Sequence, residues 1–450
     1  MGRFSKESYN WAAGSYVDLF VISAITQVLF GISLYWMVFQ SPNLVGGTGS
    51  AALFYSSNFP LLAVGTLSLT GWMMAIILGI GFDRFPLDFK TSPFDSSIIS
   101  TIATMNIFGQ ILIIAGIISS DLALIKQLGM MGATLLGMQL ILIGPIAWRL
   151  ADAREPSLED RVGLWTIGPS LALPVVGMLT ILVWLLGDND WFYNLYWTVV
   201  LDGFWLMLAF GLILSHLQNR LDWKLMNAKI TSKAFTIFVI LALIHIILDY
   251  LFHTGRITSG AVQASIAAPI LWIYFVSRPD RIWKNVFAGK KCSAQVLSSH
   301  SWLLVTAIIG IYEAVCIDRT TDMFYTRFML LFGIVAQAIW GTAIQLHDDH
   351  KYINIEDRKQ RYVSIVMMTI VMFGVIYLAL NAGGDIDVLD SNLVAIITVI
   401  AVFIASLEFL FWIITDVFMS QKEWHRIPMF YGNKHRDESP SDPYFPSESE

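Results

Sequence analysis

The chain has 450 residues, of which 56% are hydrophobic and only 14% are charged, and its mean hydropathy is +0.63. These values exclude an ordinary soluble domain and are typical of a protein that crosses a membrane many times. The formal net charge is -6, and the basic residues are spread over many short segments. We therefore expect the lipid bilayer as a partner and no nucleic acid.

Twelve apolar segments approach or exceed the roughly 20 residues that a helix needs to cross a bilayer. All but four of the 28 Lys and Arg residues fall on the side of the N-terminus, which is cytoplasmic by the positive-inside rule. The sequence therefore predicts an all-α polytopic membrane protein with twelve transmembrane helices and both termini cytoplasmic. The four basic residues assigned to the outer side are Lys126, Arg256, Arg319 and Arg327. The predicted spans are 17–40, 58–82, 97–119, 122–148, 162–186, 191–215, 233–253, 259–277, 300–317, 324–346, 361–382 and 392–419.

The connections between these spans are short, so we expect one transmembrane domain over 1–420 and no soluble catalytic domain. Residues 421–450 form a cytoplasmic tail rich in Pro, Ser and acidic residues, and we expect it to be partly disordered. The first 16 residues lack the features of a signal peptide, which predicts that the first span is retained. The expected location is the cell membrane, or an organellar inner membrane if the source is eukaryotic.

The sixth and seventh predicted spans place ionisable residues at the depth of the hydrocarbon. Asp202 lies in span six, and span seven carries His245, Asp249 and His253 at intervals of four. Four residues advance a helix by about 400°, so these three side chains share one stripe about 12 Å long. Because a buried carboxylate is costly unless it is paired, and because the two spans are joined by a short loop, we expect Asp202 and Asp249 in one polar pocket. A metal or an arginine is then expected to be shared between them.

Two further acids, Glu313 near the outer end of span nine and Glu408 in span twelve, join Asp202 and Asp249 as candidate catalytic residues. A polar residue inside a membrane often serves only as a hydrogen-bond partner between helices. That alternative stays open for His245, Glu313 and Glu408. A metal centre would use His245, Asp249, His253 and Asp202. Ligation by His and Asp without thiolate suits a single ion of copper, iron or zinc. The cofactor stays unknown from the sequence.

The other histidines, which include His216 and His300, are assigned to the cytoplasmic side, and none of them is predicted to be a buried ligand. The QLHDDH stretch, which contains His347 and His350, resembles a metal-binding spacing, but a solvated charged turn explains it better. The sequence contains none of the common nucleotide-binding, zinc-protease or serine-hydrolase motifs.

The order of elements in spans six to eight resembles the large subunit of heme-copper oxidases and nitric oxide reductases. In that family an aromatic run in helix six precedes a copper-ligand His, and helix seven ends with a His-His pair and a short outer turn. Here the corresponding stretches read NLYWTVVLDGFW and DYLFHTGRI. The resemblance implies that Asp202 replaces the helix-six His and that Asp249 with Tyr250 replaces the pair, which adds Tyr250 to the candidate catalytic residues. Twelve spans with both termini inside are also similar to that family.

The sequence departs from this family at the heme ligands. Ser68 and Thr70 stand near the place of the helix-two heme His, and the predicted helix ten has no His within its apolar stretch. Since each heme iron needs an axial ligand, we expect no b-type heme held by two histidines. The resemblance implies a subunit with this fold and an altered metal centre, acting in or beside a redox or respiratory complex together with other membrane subunits. Its role would be proton transfer or an atypical metal site.

Two alternatives remain open at this point. A proton-coupled secondary transporter would use Asp202 and Asp249 as its coupling carboxylates, although few Gly or Pro residues interrupt the spans. A structural scaffold would need none of the buried acids. Whether the protein is an enzyme is undecided; if it is one, we expect a membrane oxidoreductase subunit.

Overall fold

The protein is described by a computed structural model that covers residue 19 and residues 21–33, 65–88, 96–119, 122–152, 172–187, 190–221, 228–317, 325–350 and 362–413. All regular secondary structure in these ranges is helical. An apolar chain in a bilayer must satisfy its backbone hydrogen bonds internally, which long helices do. The α-helices are α1 (Val21–Ser33), α2 (Met73–Asp88), α3 (Ser96–Ser119), α4 (Leu122–Asp152), α5 (Ala172–Gly187), α6 (Asp190–Tyr196), α7 (Leu206–Arg220), α8 (Ala228–His253), α9 (Ser259–Val276), α10 (Pro279–Phe287), α11 (Ala294–Cys316), α12 (Tyr325–Phe328), α13 (Gln337–His350), α14 (Val363–Ala382) and α15 (Ser391–Ile413).

Nine helices in the described part of the chain are long and apolar enough to cross a membrane. Three shorter apolar helices, Val21–Ser33, Leu67–Phe82 and Leu173–Trp184, fall within the other three predicted spans. The prediction of an all-helical, multi-pass membrane protein is therefore confirmed. The predicted tail and most of the charged loops that set the expected orientation lie outside the described residues.

In the described ranges, three π-helical segments interrupt the bundle at its centre: Leu67–Trp72 before α2, Trp197–Trp205 between α6 and α7, and Met329–Ala336 between α12 and α13. All their residues are buried. The segment Trp197–Trp205 contacts both of the others. A π-helical turn is rare and is found most often at functional sites. The sequence analysis did not anticipate any of the three.

The spans that contain two of these segments form the centre of the bundle. The window Trp197–Leu214 is 94% buried and Tyr325–Gln345 is 89% buried, whereas Thr236–His253 on α8 is only 17% buried. Helix α8 thus faces lipid over most of its surface, and its buried residues mark the one stripe that faces the protein. His245 and Asp249 lie on that stripe.

A cluster of three buried amides, which we call the amide cluster, joins the first π-helical segment to α3 and α4. The Asn106 amide donates to the Gly71 carbonyl at 3.1 Å and to Gln139 Oε1 at 3.0 Å. The Gln139 amide donates to the Thr70 carbonyl at 2.9 Å, and Gln110 donates to Asn106 at 2.6 Å. Side chains of neighbouring helices therefore bind carbonyls of the π-helical turn, which lowers the cost of burying them.

Aromatic rings fill the space between α2, α13 and α15. Trp72 stacks on Trp340 at a centroid distance of 5.9 Å, Trp340 stacks on Phe409 at 6.1 Å, and Phe409 lies 5.3 Å from Trp412. The indole N–H of Trp340 donates to Gln27 Oε1 on α1 at 3.0 Å, which anchors this row to the first helix. Ring packing of this kind makes the interior dense and apolar away from the polar clusters.

Candidate functional site

Asp202 lies at the centre of a buried polar cluster, within the π-helical segment Trp197–Trp205. One of its oxygens, Oδ2, accepts hydrogen bonds from Arg327 Nε at 2.9 Å and Arg327 Nη2 at 2.7 Å. The same oxygen lies 3.1 Å from His245 Nε2. Its other oxygen, Oδ1, has no hydrogen-bond partner among the described residues. Asp202 is therefore held by a guanidinium and an imidazole while one of its oxygens still has accepting capacity.

Arg327 is fully buried at the start of the helix that continues into the third π-helical segment. Besides its ion pair with Asp202, its Nη2 donates to Thr198 Oγ1 at 2.9 Å. Thr198 lies one helical turn before Asp202 in the same segment. A buried guanidinium in a membrane requires such a set of acceptors, because an unpaired charge in low dielectric costs several kcal/mol.

Asp249 is buried one turn beyond His245 on α8. Its carboxyl interacts electrostatically with Arg327, His245 and Asp202, and it lies beside the Thr198 hydroxyl. Since Thr198 accepts a hydrogen bond from Arg327, its own O–H remains able to donate to Asp249. The predicted grouping of Asp202 and Asp249 in one polar pocket is therefore confirmed. The cation between them is Arg327.

The hydrogen bonds of His245 allow two protonation states. Its Nδ1 lies 2.6 Å from Ser265 Oγ on α9, and Ser265 Oγ also lies 2.6 Å from the Val262 carbonyl. If the Ser265 hydroxyl donates to Val262, His245 Nδ1 must carry a proton and donate to Ser265, so both ring nitrogens are protonated. If the hydroxyl instead donates to Nδ1, the imidazole is neutral. A rotation of one hydroxyl hydrogen accommodates either state.

A count of charges connects this histidine to Asp249. Two carboxylates and one guanidinium leave one negative charge, so a single additional proton makes the four-residue cluster neutral. That proton has two places, the His245 imidazole and the Asp249 carboxyl. A neutral cluster is strongly favoured in a low-dielectric interior, so the two states are close alternatives that differ by the position of one proton.

The remaining predicted site residues lie elsewhere. Tyr250 is 49% exposed and packs edge-on against Trp191 at a ring distance of 5.6 Å, away from the cluster. His253 is exposed at the end of α8, with its ring 6.2 Å from the same Trp191. Within the described ranges, no group of three or more His, Cys, Asp or Glu residues is arranged to hold a metal ion. The structure thus brings His245, Asp249 and Asp202 together and leaves His253 and Tyr250 outside.

The two glutamates cap the beginnings of helices. Glu313 Oε1 accepts from the Tyr325 N–H at 2.7 Å, and Glu313 Oε2 accepts from the Thr326 N–H at 3.0 Å and from the Thr326 hydroxyl. Glu408 accepts from the Ser364 N–H at the start of α14. A carboxylate at a helix N-terminus binds otherwise unpaired N–H groups, as expected of a cap. Glu313 also fixes the backbone immediately before Arg327, so it positions the arginine.

Sequence analysis missed the residue that holds the cluster together. Arg327 was assigned to the outer loops, and this was wrong: it is buried inside the protein. The available signal was its position three residues inside the predicted span 324–346, where an arginine requires a buried acidic partner. Thr198 and Ser265 carry no comparable signal, because hydroxyl residues are common in spans.

His216 and His300 were not predicted as buried ligands, and the structure shows that both side chains are nevertheless buried. Each binds a polar group of the connection between α9 and α11. His216 Nε2 accepts from the Ser293 N–H at 2.9 Å, and His300 Nε2 lies 2.7 Å from Ser277 Oγ. Their burial was missed because their partners lie in a connecting segment that the sequence does not place in space.

The geometry of the site is that of a buried arginine shared by two carboxylates, with a histidine able to exchange a proton. The chain matches no model of a known protein family and no curated protein.

Proposed function

We propose that this protein transfers protons through the Asp202, Arg327, His245 and Asp249 cluster, as a subunit acting in or beside a membrane redox complex. We further propose twelve spans with both termini cytoplasmic. The observation that carries the proposal is the cluster's need for one proton, which has two places to reside. An ion pair that served only structure would need no second carboxylate and no histidine beside it.

The residues have separate roles in this function. Arg327 holds Asp202 ionised and fixes Thr198, whose hydroxyl faces Asp249. In one state His245 carries two ring protons and Asp249 is ionised. In the other, the Asp249 carboxyl carries the proton, the imidazole is neutral, and the Ser265 hydroxyl donates to His245 Nδ1. Both states are neutral, so the transfer moves no net charge into or out of the low-dielectric site.

A route to one membrane surface begins at Asp249. His253 lies one helical turn farther along α8, on the same stripe, and is exposed. A proton that leaves Asp249 therefore needs to travel only about 6 Å along the helix to reach a solvent-accessible imidazole. An imidazole can accept a proton at one ring nitrogen and donate one from the other, so it suits the entrance or exit of such a route.

The redox setting rests on the resemblance to heme-copper oxidases and nitric oxide reductases. Proton transfer fits the residues better than the atypical metal site, because the Asp202 oxygen that faces His245 is already bound by Arg327. A guanidinium in that position repels a metal cation. We accordingly assign no metal to this site.

The test is proton flux into vesicles that contain the purified protein and a pH-sensitive dye, driven by an imposed membrane potential. We expect flux above that of protein-free vesicles, and its loss in Asp249→Asn, which keeps the shape and removes the exchangeable proton. The matched controls are Glu408→Gln and Tyr250→Phe, which should retain the flux. Wild-type vesicles that take up protons no faster than protein-free vesicles would contradict the proposal.

A second function, a proton-coupled transporter, is favoured by the π-helical segments, since interrupted helices at mid-membrane are typical of transporter binding sites. It predicts a different result in the same assay. Vesicles would show no flux under a potential alone, and a flux that depends on Asp249 would arise only when a substrate gradient is supplied.

A further inference from the structure

The connection between α9 and α11 contains a short helix at the membrane surface. Helix α9 ends its span at Val276 and α11 begins the next at Ala294, so everything between them remains on one side of the bilayer and close to it. The left-handed conformations of Arg278 (φ 52) and Gly289 (φ 89) turn the chain at both ends of α10. Helix α10 is therefore separate from both spans.

This connection is fixed to the body of the protein. Lys290 Nζ donates to the Leu221 carbonyl at the end of α7, at 3.1 Å, and the Ser293 N–H donates to His216. Ile282 of α10 is itself fully buried against the protein. The helix therefore presents a defined set of side chains to its surroundings.

The apolar side chains of α10 cover a wider arc of the helix than the arc that packs against the rest of the protein. At 100° per residue, Ile282, Val286, Trp283 and Phe287 span about 140° of the helix. Ile282 and Val286 are directed toward the protein core, Trp283 is half-buried, and Phe287 is 83% exposed at the far edge of the arc. The Trp283 and Phe287 rings lie 5.9 Å apart. Aromatic side chains at this level of a membrane protein suit the headgroup boundary.

The polar side of the same helix is basic. Residues 278–291 contain five Lys or Arg residues and a single acid, Asp280. Arg278 is paired with Asp280 at 2.9 Å, so its charge is already compensated. Arg281 and Lys284 are both exposed; around the helix Lys284 lies about 60° from Phe287 and Arg281 about 120° from it, both on the side away from Ile282. Their ammonium and guanidinium groups can contact phosphates of lipids whose acyl chains lie against the two aromatic rings.

We propose that α10 is a binding site for anionic phospholipids, with Trp283 and Phe287 inserted at the headgroup boundary and with Arg281 and Lys284 on the lipid phosphate. Charge complementarity identifies the occupant, since a zwitterionic lipid offers no net charge to two exposed cations. This site lies apart from the proton cluster and does not depend on its function.

The first experiment is native mass spectrometry of the full-length protein in detergent, with phosphatidylglycerol or phosphatidylcholine added. Phosphatidylglycerol should bind at least severalfold more tightly, and Arg281→Gln with Lys284→Gln should abolish that preference. The matched control is Arg256→Gln, which removes an exposed charge at the opposite end of α9 and should keep the preference. Equal binding of the two lipids by the wild type, or competition by inorganic phosphate at the lipid concentration, overturns the proposal.

The second experiment locates α10 relative to the bilayer with spin labels at Phe287→Cys and Lys284→Cys, in protein reconstituted with anionic lipid. Cys316→Ser removes the exposed native thiol, and burial raises the pKa of the Cys292 thiol to about 11, which keeps it unreactive. The label at 287 should be more accessible to oxygen than to a water-soluble nickel complex, and the label at 284 should show the reverse. A water-like profile at 287 overturns the insertion.

Discussion

The amide cluster and the Asp202 cluster are both built on a buried π-helical segment, but they differ in the kind of polar group that they contain. In the amide cluster, Asn106 and Gln139 supply N–H donors to the carbonyls of Thr70 and Gly71. Every group there is neutral, and amides neither gain nor lose protons at ordinary pH. The arrangement fixes α3 and α4 against the first π-helical segment and leaves nothing to exchange.

The Asp202 cluster is held together by charged side chains instead. Arg327 compensates Asp202, and in our proposal Asp249 and His245 then share one proton between them. Asp202 Oδ1 and Asp249 Oδ2 lack hydrogen-bond partners among the described residues, but so does Gln110 Oε1 in the amide cluster, so the two clusters differ in charge and not in pairing. The difference shows that a buried polar cluster in a membrane protein is a candidate site when its charges do not balance without a mobile proton. A neutral cluster is sufficiently explained by packing.

The largest loss of stability is expected when Arg327, the only permanent cation that we place in the Asp202 cluster, is replaced. Arg327→Gln leaves the Asp202 carboxylate buried without its cation, and loss of one partner of a buried ion pair costs about 3–5 kcal/mol. The free energy of unfolding, measured by denaturant titration in mixed micelles, should fall by that amount.

The matched variant for that experiment is the double substitution Asp202→Asn with Arg327→Gln. It removes both charges, so most of the stability lost in Arg327→Gln should return. Proton flux should be absent, because the cluster has lost Asp202 and Arg327. If Arg327→Gln alone unfolds no more easily than the wild type, the guanidinium does not compensate Asp202. The proposed difference in charge between the Asp202 cluster and the amide cluster would then be wrong.

A smaller effect is expected in the amide cluster. Gln139→Leu removes two neutral hydrogen bonds, to the Thr70 carbonyl and from the Asn106 amide, and at a net contribution of about 0.5–1.5 kcal/mol each they amount to about 1–3 kcal/mol. The same titration should report a loss in that range, with proton flux unchanged. A loss of flux in Gln139→Leu would contradict the assignment of this cluster to structure alone.

The smallest effect is expected at the cap that precedes Arg327. Glu313→Gln weakens the acceptor of the Tyr325 and Thr326 N–H groups, and loss of a helix cap costs about 0.5–2 kcal/mol. Glu408→Gln, which alters the cap of α14, is the matched control for stability. Because only Glu313 lies next to the arginine, flux should fall in Glu313→Gln and persist in Glu408→Gln.

The sequence was sufficient to locate the apolar helices, since each predicted span overlaps one in the structure, although the helix of the ninth span begins at Ala294 and not at 300. It also grouped Asp202, His245 and Asp249, because four-residue spacing and a short connection constrain neighbouring spans strongly. Arg327 is separated from Asp202 by 125 positions. No local pattern shows which distant span supplies the counterion of a buried acid.

The π-helical segments were not predictable for a different reason. A π turn replaces i→i+4 hydrogen bonds with i→i+5 bonds and has no composition of its own, so a stretch such as WTVVLDGFW looks like any apolar helix. The burial of His216 was missed on similar grounds. Its partner is a backbone N–H at Ser293, and backbone groups are invisible to an inspection of side-chain types.

The π-helical segment around Asp202 accommodates one more residue in its turn than an α-helix does. If the wide turn moves along the span by one position, only the residues that it passes rotate, by about 100° each, while both ends of the helix stay in place. Asp202 and Thr198 both lie within this segment. Their side chains can therefore exchange one set of neighbours for another by a rotation confined to a single turn, without a movement of the helix ends.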